Sequence, residues 1–219
     1  MGRELHSIRK QYAKGVLDER HVNPDPFIQM EFWVSEAIHS DCEEPTAMVL
    51  STVGDGMRPS SRVVLMKGLD QEGITFFTNY ESRKGLQLRK NPQASLLFFW
   101  SELERQIRIE GTVMKVAAEE SDAYFESRPE ASRISAVISP QSKEITSREW
   151  LEERRMTDDG RPTEDGFHRS SVIGRPSQWG GYRLKPDYYE FWQGREDRLH
   201  DRIAFRLETH GWSIFRLAP

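Results

Sequence analysis

Between Tyr188 and Arg202 the chain reads Tyr-Tyr-Glu-Phe-Trp-Gln-Gly-Arg-Glu-Asp-Arg-Leu-His-Asp-Arg, so three arginines and a histidine follow directly on a run of aromatic residues. Guanidinium groups beside aromatic rings suit a flat, anionic, aromatic ligand, held by stacking and by charge. The simpler reading is a strand followed by a solvated charged turn. A second constellation is Tyr124 and Arg128, four apart and so on one helix face, with Ser132 just past Pro129. A phenol, a guanidinium and a hydroxyl at one point would grip a phosphate monoester. Spacing alone favours the plainer arrangement, Arg128 stacked on Tyr124 at a helix surface. A third is Ser82-Arg83-Lys84, a capping serine followed by two cations. Positive charge at a helix N-terminus opposes the macrodipole unless an anion binds in the same place. Finally, Arg62 and Lys67 bracket the apolar run Val63–Met66. Alternation puts them on opposite faces of a regular strand unless Lys67 lies past its end, and a lone cation at a strand edge is usually solvated.

Other chemistries find no support. There is no G-x-S-x-G elbow and no phosphate-binding P-loop, and Gly54-Asp55-Gly56 sits between two strand candidates as a turn. The six histidines lack metal-ligand spacing, so no metal is expected. Cys42 is the only cysteine, which rules out an internal disulfide and fits a reducing compartment. Lys+Arg 31 against Asp+Glu 35 leaves a net charge of −4, so neither nucleic acid nor an anionic membrane is an expected partner. Any bound anion must be gripped by local positive charge. The first residues lack the apolar core of a signal peptide, and the longest apolar run, Leu96–Trp100, is too short to span a bilayer. A soluble, cytoplasmic protein is expected.

These residues need elements to position them. The 219-residue length suits one compact domain, read here as residues 26–219, preceded by a flexible basic arm over residues 1–25. Phe27–Ile38 has helical spacing behind Pro26. Strands are predicted at 46–53, 61–66, 74–78, 94–100, 106–116, 181–184, 188–192, 203–208 and 212–217, roughly eight once uncertain ends are allowed for. Short helices are predicted at 82–90, 119–127 and 147–156, with a long flexible loop at 157–178. Many short strands and few helices, without regular alternation, indicate a mainly β (α+β) fold: an antiparallel, Greek-key-like barrel with peripheral helices.

At the aromatic–arginine cluster the sequence resembles the pyridoxine (pyridoxamine) 5′-phosphate oxidase family. The likeness runs through Arg62–Lys67, Phe77-Thr78-Asn79, Ser82-Arg83-Lys84, Leu103–Gln106, Ser127-Arg128-Pro129, Gln141-Ser142, Trp179–Arg183, Phe191–Gly194, Arg198–Arg202 and the terminal Arg216–Pro219. Their joint order is the specific signal. The resemblance implies an FMN-binding split barrel acting as a homodimer with FMN at the subunit interface. It implies cofactor contacts from Arg62, Val63, Val64, Leu65, Met66, Lys67, Phe77, Thr78, Arg83, Lys84, Gln106, Gln141, Ser142, Trp192 and Arg202. The substrate phosphate would be held by Lys67, Tyr124, Arg128 and Ser132. Arg198 and His200, with Leu199 between them, would flank the substrate ring as the catalytic pair, and Arg9 with Tyr12 would belong to an N-terminal segment closing over it. The implied reaction turns pyridoxine 5′-phosphate or pyridoxamine 5′-phosphate into pyridoxal 5′-phosphate, by hydride transfer from C4′ to flavin N5, with O2 as acceptor giving hydrogen peroxide. Two other readings stand beside it: a phenazine-type flavin oxidase of secondary metabolism, and a non-catalytic flavin- or pyridoxal-phosphate-binding module.

Overall fold

The computed structural model describes residues 11–156 and 174–219. The first helix, α1 (Pro26–Ile38), starts where Asp25 caps it, its carboxylate accepting the Phe27 N–H at 2.9 Å with proline at the first helical position. Then come β1 (Ala47–Val53), a 3-10 turn at Asp55–Met57, β2 (Pro59–Leu65), β3 (Gly68–Asp70) and β4 (Gly73–Asn79). They are followed by α2 (Arg83–Lys90), β5 (Gln93–Trp100), β6 (Arg105–Lys115), α3 (Ala118–Ser127), α4 (Glu130–Ile138) and α5 (Arg148–Met156). The described chain ends with β7 (Trp179–Gln193), β8 (Asp201–Glu208) and β9 (Gly211–Arg216).

The strands form one antiparallel sheet in the order β2-β1-β5-β6-β7-β4-β3, with β8 beside β7 and β9 beside β8. It curls because the chain steps directly from one edge, β2, to the other, β3. At that seam the Met66 N–H donates to the Thr46 carbonyl and the Lys67 N–H to the Thr75 carbonyl, at 2.9 and 2.8 Å. Lys67 therefore lies past the end of its strand, which is how Arg62 and Lys67 come to serve different places. Inward alternation in β1 (Met48, Leu50, Thr52) and β6 (Ile107, Ile109, Val113) fills the barrel together with Phe76, Phe98, Phe191 and Phe205. Trp33 of α1 lies edge-on to Phe191, with centroids 5.3 Å apart, and closes one end. Leu17 and Val22, from the segment before α1, are buried against this core.

Three expectations need correcting. The strand candidates 181–184 and 188–192 are one strand, β7, which pairs with β6 from Tyr182 to Gln193. Pro186 split them in the sequence. In the fold its missing N–H costs nothing, because β7 changes partner there: residues 179–184 pair with β4 and residues 188–193 with β8. The register shift at Glu110/Gly111 lies opposite, where a Cβ on Gly111 would sit 2.1 Å from the Lys185 carbonyl oxygen. Helix α4 was not foreseen; it begins immediately after Pro129, and Ser132 lies in its first turn. The three-residue strand β3 is a further element beyond those expected, and the strands number nine among the described residues. Of the loop expected at 157–178, residues 157–173 lie outside the described residues, as does Arg9.

Candidate active site

One cationic seat forms where α2 crosses the barrel mouth. Ser82 caps α2, and Gly85 lies so close to the preceding turn that a Cβ would stand 2.1 Å from the Tyr80 carbonyl oxygen. That contact aims the helix start at β4. Lys84 Nζ donates to Thr78 Oγ1 and to Gln141 Oε1, both at 2.9 Å. From β2, Arg62 points inward and donates to the Leu50 carbonyl, Thr52 Oγ1 and Ser60 Oγ at 3.1, 2.6 and 2.7 Å. Gln87 of α2 accepts from both Thr52 and Ser60, tying the seat together. Every partner here is neutral. Among the described residues no carboxylate pairs with Arg62, Arg83 or Lys84. Burial pushes the Lys84 ammonium down to about 8, with Arg62's charge adding to the shift, and burial followed by Arg83 lowers Arg62. Arg83 and Ser142 line an adjoining open groove of ≈ 630 Å³, Ser142 in the left-handed region at φ 71°. Converging cations with no counter-charge, at a helix N-terminus, fit the phosphate of a cofactor such as a flavin mononucleotide.

The depressed Lys84 value has a thermodynamic sign. Between pH 8 and its ordinary 10.5 the unfolded chain holds a proton that the folded, ligand-free protein has released. Stability therefore rises with pH across that window, and the penalty of a charged Lys84 is complete below it. In urea denaturation of ligand-free protein, the deficit of wild type against Lys84→Met is expected to shrink as pH rises from about 8 to about 10.5. A deficit independent of pH would contradict the assignment.

A second seat is built from the adjacent residue of β4, on its other face. Phe77 of β4 stacks on Tyr124 of α3 (centroids 3.9 Å, interplanar 21°), and Trp179 of β7 lies parallel to both. The Arg128 guanidinium sits 4.7 Å over Trp179, so it stacks on that indole and not on Tyr124. Its NH1 is buried with no hydrogen-bond partner among the described residues, and burial lowers its pKa and raises that of Tyr124. A buried guanidinium N–H without an acceptor is costly, and an anion would supply one. Ser132 lies in the first turn of α4, directly after Pro129, and Lys67 leaves the seam as an exposed side chain.

The aromatic–arginine cluster is elsewhere. Gln106, Trp192 and Arg202 form one row across β6, β7 and β8 on the outward face of the sheet. Glu190, 1% exposed, lies in the next row and takes Arg108 and Arg202 on its two oxygens, each at 2.8 Å. The Arg202 pKa is raised by that bond. His200 lies 4.7 Å from Trp192, and Tyr12 stands edge-on to both rings at 5.7 Å. His200 Nδ1 accepts the Arg195 N–H at 3.1 Å, which leaves Nε2 to carry the ring proton. Asp197 and Arg198 are both left-handed, at φ 54° and 62°, and Arg198 and Leu199 project into solvent from this turn. Non-glycine residues are held there at a cost of about 1–2 kcal/mol each, a strain that concentrates at functional turns.

The expected site residues thus fall into two groups. Arg62, Met66, Lys67, Phe77, Thr78, Arg83, Lys84, Tyr124, Arg128, Ser132, Gln141 and Ser142 cluster around the seam, α2 and the start of β7. Tyr12, Gln106, Trp192, Arg198, Leu199, His200 and Arg202 cluster at the far end of β7. From Gly180, beside Thr78, to Trp192 is a strand contour of about 40 Å. Val63 and Leu65 face outward on β2, exposed at 64% and 40%, while Val64 packs toward the core. Two participants had no assigned role in the sequence, Trp179 and Glu190. The visible signal for Glu190 was a carboxylate in the middle of an otherwise aromatic strand.

Comparison with known proteins names the fold. Residues 34–154 match the family model described as pyridoxamine 5′-phosphate oxidase, and residues 179–219 match the pyridoxine 5′-phosphate oxidase C-terminal dimerisation region. The chain is 51% identical over 217 residues to the pyridoxine/pyridoxamine 5′-phosphate oxidase of Cupriavidus pinatubonensis, covering 99% of each. It is 52% identical over 219 residues to that of Paraburkholderia phymatum, covering 98% of this chain and 99% of that protein. Among solved structures, PhzG from Burkholderia lata 383, in complex with tetrahydrophenazine-1-carboxylic acid, superposes with a TM-score of 0.83 at 30% identity, covering 93% of this chain and 98% of PhzG. A pyridoxamine 5′-phosphate oxidase-related FMN-binding protein from Nostoc punctiforme shares the fold at a TM-score of 0.70 and 15% identity, covering 89% of this chain and 98% of that one. With both family models matched in order and half the residues shared with full-length relatives, this chain belongs to the pyridoxamine 5′-phosphate oxidase family.

Proposed function

We propose that the protein oxidises pyridoxine 5′-phosphate and pyridoxamine 5′-phosphate to pyridoxal 5′-phosphate, in the cytoplasm, with FMN as cofactor and O2 as acceptor. It does so as a homodimer in which each site draws on both chains. Bound FMN would supply the two-electron acceptor for the hydride of the substrate's C4′, with O2 as final acceptor giving hydrogen peroxide. The protein's part is to bind, orient and shield. Arg62, Arg83 and Lys84 would hold the cofactor phosphate, with Thr78, Gln141 and Ser142 beside them, and the segment Val63–Lys67, from β2 across the seam, would contribute further cofactor contacts. Tyr124, Arg128, Ser132 and Lys67 hold the substrate phosphate. Arg198 and His200, with the latter's Nε2–H directed by the Arg195 N–H, contact the substrate ring and the substituent that changes.

The observation that carries this reading is the pair of cationic seats lacking counter-charge, above all the buried Arg128 N–H with no acceptor. Two seats correspond to two phosphates. The relation to PhzG raises the reading of a tricyclic substrate, and the Arg128 seat weighs against it, since such a ring system brings no phosphate to that corner. The separation of the two residue groups along β7 supports a shared site, because one flat ligand cannot touch both ends of a 15-residue strand. Exposed apolar side chains on the outward face, Val63, Leu65 and Phe99, are what a second chain would cover.

The test is direct. The purified protein is expected to be yellow, and to release peroxide with pyridoxine 5′-phosphate far faster than with unphosphorylated pyridoxine. Arg128→Ala is expected to raise KM for the phosphorylated substrate about 10- to 100-fold with little change in kcat, since a phosphate contact is alike in ground and transition states. Equal turnover of both substrates, or a loss confined to kcat, would refute the assignment.

A further inference from the structure

Glu104 is 2% exposed and sits in the left-handed region at φ 56°, in the turn joining β5 to β6. No role in the chemistry falls to it, yet it fastens the N-terminal segment at residues 13 and 14. Its Oε2 accepts the consecutive backbone N–H groups of Ala13 and Lys14 at 2.8 and 3.0 Å. Its own carbonyl accepts the Gly194 N–H at 2.8 Å and the Gln193 amide at 3.2 Å, so one residue holds both the incoming segment and the end of β7. Lys14 Nζ reaches the neighbouring Glu102 carbonyl at 2.6 Å. The fit between the two strips of chain is close: a Cβ on Gly194 would lie 2.7 Å from Tyr12 Cγ, and one on Gly15 would lie 2.7 Å from Gln193 Oε1. Immediately before this fastening comes Tyr12, edge-on to His200 and Trp192.

We propose that Glu104 is a positioning residue that seats Tyr12 against His200 and Trp192, and thereby sets the affinity for substrate. A carboxylate receiving two adjacent N–H groups forms charge-assisted bonds, and its burial keeps water from competing for them. The positive φ holds the side chain toward the segment. The effect on KM rests on the oxidase reading above; the seating of residues 12–14 does not.

Glycine adopts this backbone conformation freely, so Glu104→Gly removes the carboxylate while leaving the turn intact. Hydrogen exchange on the flavin-loaded protein is expected to accelerate about a hundredfold at the Ala13 and Lys14 amides in Glu104→Gly, with the β-strands unaffected. Glu104→Gln keeps an acceptor oxygen and is expected to recover most of the protection. In the same proteins KM for pyridoxine 5′-phosphate is expected to rise about tenfold in Glu104→Gly, and to rise no further when the change is added to Tyr12→Ala. Unchanged exchange at residues 13 and 14, faster exchange spread over the whole chain, or a KM effect that adds to that of Tyr12→Ala would each overturn the proposal. A protein without oxidase activity but with the predicted exchange would refute the oxidase reading and leave the seating in place.

Discussion

Replacing Arg198 with alanine is expected to lower kcat/KM about a thousandfold, the equivalent of about 4 kcal/mol of transition-state stabilisation, while FMN stays bound. The reasoning begins with the turn. Asp197 and Arg198 are consecutive residues at φ 54° and 62°, and this geometry lifts the Arg198 side chain clear of the sheet. Among the described residues no carboxylate pairs with it, whereas its neighbours Arg195, Arg202 and Arg216 are all neutralised by Glu190, Asp201 or Glu19. Of the arginines in this cluster, Arg198 is the one without a carboxylate partner among the described residues, and a guanidinium offers both a flat face and a fork of donors to an oxidisable ring substituent. FMN retention is expected because the side chains proposed to hold the cofactor phosphate, Arg62, Arg83 and Lys84, are untouched by the change. Arg198→Lys keeps the charge but loses the planar fork, and should fall between wild type and alanine. Peroxide release and the visible flavin spectrum of the same samples are the measurements; a rate within twofold of wild type would remove Arg198 from the reacting end.

The second large effect is a recovery. Arg198→Ala and the double variant Arg62→Ala/Lys84→Met are each expected to be nearly inactive, one for want of the reacting side chain and the other for want of the cofactor seat. Co-expressed with different tags, they should regain about a quarter of wild-type activity. In a mixed dimer one site joins an intact seat from one chain to an intact Arg198 from the other, and the second site is doubly defective. Random pairing makes about half of the dimers mixed, with one working site in two. The basis is the contour of about 40 Å along β7 between the two groups of residues. If each site lay within one chain, every site in the mixture would carry a lesion. The co-expressed sample would then be as inactive as its parents.

Much of this was readable from the residues alone, for reasons that are local. Helix α1 announces itself through Pro26 and apolar spacing, and α2 through Ser82 and Asn91-Pro92, because capping and chain stiffness act over a few residues. Inward alternation in β6 is likewise a property of the strand itself. The conflict of Arg83 and Lys84 with their own helix dipole already pointed to an anion. What failed locally was β7: Pro186 is a strand breaker by composition, and only its neighbours β4 and β8, which exchange places there, make it harmless.

The sequence by itself determined which side chains carry charge, which flank helix starts and which alternate inward, and so the kinds of ligand the protein can hold. Tertiary structure alone decided who stands beside whom. It laid Arg128 on Trp179 and not on Tyr124, buried Glu190 between two arginines, tied residues 13 and 14 to Glu104, and set Lys84 and Arg198 at opposite ends of one long strand. The physical reason is that capping, alternation and turn preference act between residues close in sequence. Ring stacking, ion pairing and burial act between residues close in space, and only the closed sheet makes those neighbours.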